Sequence, residues 1–193
     1  MSFRDMFRRA SEAEKTAKQM EAANKINLRG TTELFRAVES GDIGEVRRLI
    51  DLGADVNGRS KSLGVMTNLV FSVPYAAGST PLHAASLLGE RDITALLLRQ
   101  GAEPTIRNND GHTALDYALM SHAWLEESYA KKQASRLTPA RIVRESALKL
   151  TQTRDAIAVL LSHGSKTGLL ELPERFRELL PKRRKNTDGP KAG

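Results

Sequence analysis

The sequence predicts an all-α fold in which short helix-turn-helix units stack side by side into a solenoid. The first observation is a repeated internal spacing, because 21 residues separate Thr32 from Gly53 and also Thr80 from Gly101. The second is that each of these glycines precedes an alanine and follows a pair of apolar residues. The third is the distance of 33 residues from Thr80 to Thr113. Units this small bury their helices only by stacking on neighbours.

The segment Thr80–Ala85 reads Thr-Pro-Leu-His-Ala-Ala. With the 33-residue period, it resembles the Thr-Pro-Leu-His-x-Ala signature of ankyrin repeats. The resemblance implies that His83 hydrogen-bonds neighbouring backbone and sets the turn. It covers residues 30–168, with three copies at about 31–57, 78–108 and 110–167.

Only the middle copy carries the full signature. The first begins Thr32-Glu33-Leu34-Phe35 and the third Thr113-Ala114-Leu115-Asp116, so both lack the proline and the histidine. We expect the turns of these two copies to be less constrained than that of the middle copy.

The loop between the first two copies is enlarged. Thr32 and Thr80 lie 48 residues apart, which is 15 more than one period, and the distance from Gly53 to Thr80 contains all of the excess. The sequence therefore predicts a long finger loop at about 58–78. Its apolar residues either fold back on the repeats or meet a partner; they are Val65, Leu69, Val70, Phe71, Val73 and Tyr75.

The third copy is interrupted by a helical insertion. Thr113 and Gly164 lie 51 residues apart instead of 21, so 30 residues have been added between its two helices. His122 stands where the other copies have the glycine that ends the first helix, which lets that helix continue. Thr138-Pro139 has the composition of a helix start. A long helical hairpin with its insertion at about 123–152 is predicted to project from the third repeat.

The ends of the chain are predicted to cap the solenoid. Residues 1–29 form an amphipathic helix with an apolar stripe at helical spacing, which is expected to cover the first repeat; membrane-surface docking is the alternative. Residues 169–181 are expected to form the C-terminal capping helix. Residues 182–193 are rich in basic and polar side chains and are predicted to be a disordered tail.

Composition bounds the class of protein. The chain has 193 residues, no cysteine and a net charge of +7, so disulfides and thiolate metal sites are excluded. The positive charge is concentrated at the two ends, mainly in Lys182, Arg183, Arg184 and Lys185. Those four residues could bind nucleic acid or act as a nuclear import signal, although a solubilising tail is the simpler interpretation. With no transmembrane segment and no signal peptide in the sequence, we expect a cytoplasmic monomer, or a nuclear protein in a eukaryote.

No catalytic, cofactor or metal motif emerges from the sequence. The four histidines do not pair at metal-ligand spacing, and no nucleophile motif or dinucleotide fingerprint occurs. Residues 163–168 read His-Gly-Ser-Lys-Thr-Gly, but the glycine that a phosphate-binding loop needs before its lysine is absent. We interpret this segment as the end of a helix.

What remains is a binding surface. Ankyrin repeats usually vary the two positions before the mid-repeat glycine with the partner, and here they are Glu39-Ser40, Leu87-Leu88 and Met120-Ser121. Leu87, Leu88 and Met120 are predicted to form an apolar strip, with the alternative that the two leucines pack under the finger. The remaining candidate partner-binding residues flank this strip or lie on the fingers; they are Arg36, Glu39, Tyr117, Trp124, Asn109, Asp110, His112, Phe71 and Tyr75.

The resemblance implies a noncatalytic protein-interaction module, acting as an adaptor, inhibitor or effector, that binds another protein through its concave surface and finger. The alternative is a nucleic-acid-associated factor that uses the basic termini. An enzyme with its site between finger and hairpin is the third hypothesis, and no convergent polar cluster supports it.

Overall fold

The computed structural model describes residues 3–62, 64–67, 72–135 and 137–180. Within these ranges the chain is mostly helical, as the spacing predicted. The elements in chain order are α1 (Phe3–Asn24), α2 (Glu33–Glu39), α3 (Ile43–Asp51), β1 (Gly64–Thr67), β2 (Ser72–Tyr75), α4 (Pro81–Leu88), α5 (Arg91–Arg99), α6 (Ala114–Ala134), α7 (Ala140–Ser162) and α8 (Glu174–Arg177).

The repeat threonines start the first helix of each copy. Thr32 and Thr113 accept hydrogen bonds from the backbone N–H three residues later, at Phe35 and Asp116. In the middle copy the Thr80 backbone N–H donates to His83 Nδ1 over 3.1 Å. Thr32 and Thr113 therefore satisfy N–H groups that a helix start leaves without an intrahelical partner, and in the middle copy the His83 ring accepts the N–H of Thr80.

Helices α2, α4 and α6 form one layer, and α3, α5 and α7 form the second. The predicted stacking of helical pairs is therefore confirmed. A continuous core runs between the layers and buries the apolar pairs that precede each Gly-Ala. Its largest fully buried side chains are Phe35, Leu34, Leu82, Leu87, Ile93, Leu97, Leu115, Leu125, Ile157, Leu160, Leu161 and Phe176.

The third copy does not have the loosely held turn that its sequence suggested. Asp116 takes the place of the histidine in the signature, and its buried carboxylate accepts a hydrogen bond from the Thr113 backbone N–H over 2.9 Å. The same carboxylate accepts the backbone N–H groups of Gly168, Leu169 and Leu170. Asp116 therefore fixes its own turn and also attaches the segment that follows α7.

The enlarged finger contains a two-stranded antiparallel hairpin, a detail that the sequence did not predict. Strands β1 and β2 pair in a register that sets Gly64 opposite Tyr75. Two backbone hydrogen bonds close the base of the finger, from Ser60 N–H to the Ser79 carbonyl and from Gly78 N–H to the Ser60 carbonyl. The candidate residue Phe71 lies outside the described residues.

The interrupted third copy forms the predicted helical hairpin. Helix α6 continues past His122 to Ala134, and α7 returns antiparallel to it. His122 Nδ1 lies 2.8 Å from Thr153 Oγ1, which joins the two helices at the root of the hairpin. Helix α7 ends at Ser162, so the segment that resembled a phosphate-binding loop is a helix end, as predicted.

The predicted N-terminal cap is confined to the C-terminal end of α1, from Met20, whose side chain lies against Gly53, to Asn24. Ala23 is buried, and the Asn24 side chain bonds to the Gly53 carbonyl and to the Asp55 backbone N–H. Met6 and Met20 of the predicted stripe are 56% and 44% exposed. The expectation that the stripe covers the first repeat is corrected, because α1 reaches the repeat only at its C-terminal end.

The C-terminal capping helix is shorter than predicted. It spans Glu174–Arg177, and its buried Phe176 ring packs edge-on against His122 at a centroid distance of 5.1 Å. The predicted basic tail, with Lys182, Arg183, Arg184 and Lys185, lies outside the described residues.

Candidate protein-binding surface

Two exposed apolar side chains mark the inner face of the third repeat. Met120 and Trp124 lie four residues apart on α6, which places them on one side of the helix. Their side chains are 38% and 39% exposed. Both were predicted from sequence, and both remain accessible to a partner.

Arg36 and Glu39 lie on α2, at the other end of the same row of helices. The exposed Arg36 guanidinium contacts Glu33 Oε2 at 2.7 Å. Glu39 is half-buried, and this burial raises the pKa of its carboxyl, while the nearby Arg29 and Arg36 act in the opposite direction. The α2 end of the inner face is therefore polar and carries both signs of charge.

The centre of the predicted apolar strip, formed by Leu87 and Leu88, is buried and not exposed to solvent. Leu87 and Leu88 are 0% and 4% exposed, so the expectation that they touch a partner is corrected. Both leucines belong to the same hydrophobic core cluster as Tyr75 of the finger and Ile157 of α7. Helix α7 also lies close to the end of α4, where a side chain at Gly89 would meet Thr153.

Two tyrosines predicted to bind a partner hold the finger in place instead. Tyr75 is 4% exposed, and its ring contacts Phe35 of α2 at a centroid distance of 5.2 Å. Tyr117 is 3% exposed, and its hydroxyl accepts hydrogen bonds from Ala76 N–H at 3.0 Å and from Asn108 Nδ2 at 2.9 Å. The finger thus bridges α2 and α6 across α4, so the apolar surface at its base folds back on the repeats.

The tip of the second loop is held by Asn108, a residue that the sequence reasoning missed. Its side-chain oxygen accepts hydrogen bonds from the backbone N–H groups of Asp110 and His112. Asn109 and Asp110 are exposed, as the prediction required. His112 is half-buried, and its carbonyl lies 3.1 Å from His83 Nε2, so it supports the loop more than it meets solvent.

A cleft of about 460 Å³ lies between α6, α7 and α8. Its walls include His122, and burial lowers the pKa of this imidazole. Four of the charged groups around it form two ion pairs, since Arg175 contacts Glu126 at 2.6 Å and Arg154 contacts Glu178 at 2.9 Å. The cleft was missed from sequence because it exists only once the C-terminal segment folds back onto the helical insertion.

The described residues present no group of three or more His, Cys, Asp or Glu side chains arranged to hold a metal ion. In the same part of the chain, every helix is too short or too polar to cross a membrane. The exposed residues of the inner face offer apolar contact, hydrogen bonds and charge, which are the interactions of a binding surface.

The family description "Ankyrin repeats (3 copies)" matches residues 34–127, just under half of the chain. The chain is 32% identical over 114 residues to the E3 ubiquitin-protein ligase hecd-1 of Caenorhabditis elegans, which covers 56% of this chain and 4% of that protein. It is 35% identical over 88 residues to the 2-5A-dependent ribonuclease of Homo sapiens, covering 46% of this chain and 10% of the relative.

A third similar protein is the putative ankyrin repeat protein FPV240 of Fowlpox virus, 36% identical over 79 residues, with 41% of this chain and 16% of that protein covered. The chain therefore spans less than a fifth of the length of each of these curated relatives. The enzymatic activities that two of the names describe belong to proteins of which this chain matches only 4% and 10% of the length.

Proposed function

We propose that this chain, whose residues 34–127 match the ankyrin-repeat family, binds a partner protein through the exposed part of its inner face and catalyses no reaction itself. Ankyrin repeats are generally protein-interaction modules, so the family supports the class of function. The observation that carries the proposal is the pair Met120 and Trp124, one turn apart on α6 and each more than a third exposed.

Large apolar side chains that are rigidly held and bordered by polar groups are the usual centres of protein interfaces. The polar groups on the other elements of the inner face are Asp110 at the loop tip and the Arg36–Glu33 pair on α2. The burial of Leu87 and Leu88 moves the proposed centre from the middle repeat to the third.

The test compares partner capture by the wild type and by a Met120→Lys plus Trp124→Ala variant. Full-length protein is immobilised, and the captured proteins are identified by mass spectrometry. Binding through this surface predicts a partner that the wild type retains and the double variant loses, because removing two central contacts costs several kcal/mol, about 2 or more for each.

The matched control is Leu28→Lys, where the original leucine is fully exposed in the segment between α1 and α2, outside both the inner face of the third repeat and the α6–α7 hairpin. This control should retain the partner. If the double variant is folded by circular dichroism and captures every protein that the wild type captures, the proposed surface is wrong.

The second candidate function is nucleic-acid association through the basic run Lys182, Arg183, Arg184 and Lys185. The clustering of four positive charges favours it, since such runs neutralise phosphates. Filter binding of duplex DNA and RNA by the full chain, with and without residues 182–193, tests this candidate separately from the inner face.

A further inference from the structure

The distal part of the α6–α7 hairpin is strongly basic. Residues 128–149 contain six basic side chains and one acidic side chain. The rest of residues 30–180 contains 12 basic and 17 acidic side chains. Residues 128–149 therefore carry a net charge of +5, and the remainder carries a net charge of −5. Residues 30–180 as a whole have no net charge, but the positive and negative side chains are unevenly distributed. We call the described residues of 128–149 the hairpin tip.

The hairpin tip also exposes apolar side chains at its turn. Helix α6 ends at Ala134 and α7 begins at Ala140. Leu137, in the connection, is 92% exposed, and Ile142, in the first turn of α7, is 41% exposed. Single exposed leucines are ordinary on protein surfaces. Here two apolar side chains stand at the end of a projecting element with basic residues around them.

Three basic side chains of the tip are accessible, namely Lys131, Arg141 and Arg144, whereas Lys149 is 17% exposed and pairs with Glu90 of the middle repeat at 2.8 Å. Lys131 contacts Glu127 and Arg141 contacts Glu145, each at 2.7 Å, but both pairs lie in solvent, with the lysine 74% and the arginine 87% exposed. Ion pairs this exposed are weak and exchange readily for another anion. Arg144, on the next turn of α7, is exposed as well.

We propose that the hairpin tip docks on an anionic lipid surface. Leu137 and Ile142 enter the boundary between headgroups and acyl chains, while Lys131, Arg141 and Arg144 contact the headgroup phosphates. Neither signal suffices alone, but an apolar contact combined with a basic cluster gives reversible binding to such a surface. The binding is peripheral, because none of the described helices can span a bilayer.

The apolar side chains favour lipid over nucleic acid. Phosphate-backbone binding needs only the cations, and sequence-tolerant binding of single strands adds aromatic rings on which bases stack. The tip instead adds aliphatic side chains, which gain nothing from a phosphate backbone and are stabilised at an acyl boundary. A flat bilayer is also the surface that the end of a projecting rod reaches without contact from the repeats.

The experiment is co-sedimentation of the full chain with vesicles of phosphatidylcholine, with and without phosphatidylserine. We expect binding to the anionic vesicles only, weakening as salt rises. Leu137→Asp plus Ile142→Asp should lower the binding constant about tenfold or more, and Lys131→Glu plus Arg144→Glu should do the same.

Each variant has a matched control far from the tip. Leu28→Asp plus Ile43→Asp changes two exposed apolar residues near the first repeat, which are 109% and 39% exposed, and Arg47→Glu plus Arg99→Glu makes the same change in net charge as the basic tip variant on the exposed surface of the repeats. Both controls should bind the anionic vesicles like the wild type. Unchanged circular dichroism melting curves will show that all variants are folded.

Three results would overturn the proposal: no binding to anionic vesicles, equal losses in the tip variants and their controls, or tip-dependent binding of duplex nucleic acid or polyglutamate without vesicle binding. The last result would make the tip a site for nucleic acid or for an acidic protein. Because these residues lie outside the Met120 and Trp124 surface, partner capture by the tip variants distinguishes this proposal from the proposed function.

Discussion

At the scale of single residues, His83 illustrates how a repeat signature becomes a structural constraint. The Thr80 N–H donates to Nδ1, so the ring proton resides on Nε2 and is donated to the His112 carbonyl. The ring is 1% exposed, and burial lowers its pKa to about 4. His83 is therefore neutral at pH 7 and connects the second repeat to the loop before the third.

This shift predicts a loss of stability in acid. Between pH 6.5 and pH 4 the unfolded chain binds a proton at this position and the folded chain does not. His83 contributes fully to the free energy of unfolding above about pH 6.5. This contribution decreases as the pH falls toward 4, by a total on the order of 3 kcal/mol. Urea unfolding at several pH values should show this slope.

The comparison with His83→Gln isolates the effect of the histidine. The variant loses hydrogen bonds and should be less stable at pH 7, but its free energy of unfolding should depend less on pH in this window. The exposed His163→Gln should keep the wild-type slope. A slope that is the same in all three proteins would contradict the assignment.

Asp116 carries the next prediction. Asp116→Ala leaves the N–H groups of Thr113, Gly168, Leu169 and Leu170 without their acceptor. The expected cost is roughly 2–3 kcal/mol in the free energy of unfolding, with faster hydrogen exchange at residues 168–170. The exposed Asp110→Ala is the control, and it should change stability by less than about 0.5 kcal/mol.

The residue scale is also where sequence reasoning was weakest. Met120, Trp124 and Asp110 were placed correctly on the surface, since the repeat alignment gives the direction of each side chain. Leu87 and Tyr117 were misplaced, because their burial depends on packing with segments that are distant in the sequence, as in the hydrogen bond from Ala76 of the finger to the Tyr117 hydroxyl. Periodicity reports which face of a helix a residue occupies, but it cannot report what covers that face.

At the scale of elements, spacing arithmetic located both insertions. The 15 extra residues became the finger and the 30 extra residues became the hairpin, because the flanking glycines kept the register of the repeat. The strands in the finger were missed, since β-pairing depends on partners that the period does not encode. The extent of the contact between α1 and the first repeat was overestimated. An apolar stripe shows that a helix has a face to bury, but it does not show that another element lies close enough to cover it.

The contact between α4 and α7 predicts different outcomes for two glycines. Gly89 and Gly101 both adopt left-handed conformations, with φ of +66° and +86°. A side chain at Gly89 would collide with buried Thr153, whereas no atom lies within 4 Å of a side chain at Gly101.

Gly101→Ala should therefore lower the free energy of unfolding by about 1–2 kcal/mol, because alanine disfavours the left-handed backbone conformation. Gly89→Ala should cost at least about 1 kcal/mol more, because it also overpacks the hairpin root. Thermal melts of the two variants measure this difference. Equal destabilisation would show that α7 does not lie against the end of α4.

The N-terminal helix provides a second prediction at this scale. Removing residues 1–17 deletes a part of the chain in which no described side chain is buried, and should leave the melting temperature within about 2 °C of the full chain, which corresponds to about 0.5–1 kcal/mol. Removing residues 1–29 also deletes Ala23, Asn24 and Asn27. Their contacts with the first repeat and with Thr31 should make this truncation clearly less stable.

At the scale of the whole molecule, charge and apolar surface are distributed over separate regions. The inner face exposes Met120 and Trp124 beside paired charges, the hairpin tip is basic, and the sequence ends in a basic run outside the described residues. A neutral sum over residues 30–180 concealed the segregation within that range. A solenoid permits this arrangement because each repeat contacts only its neighbours, so an insertion adds a surface without disturbing the stack.

This separation predicts that salt will distinguish the surfaces in one full-length protein. Binding of a partner through Met120 and Trp124 buries apolar area, so its affinity should change little as salt rises, whereas binding through a basic cluster should weaken steeply. Partner capture at low and high salt, with and without residues 182–193, measures both. Capture that disappears at high salt and also depends on those residues would place the partner on the basic tail, and the inner face would then lose its assigned role.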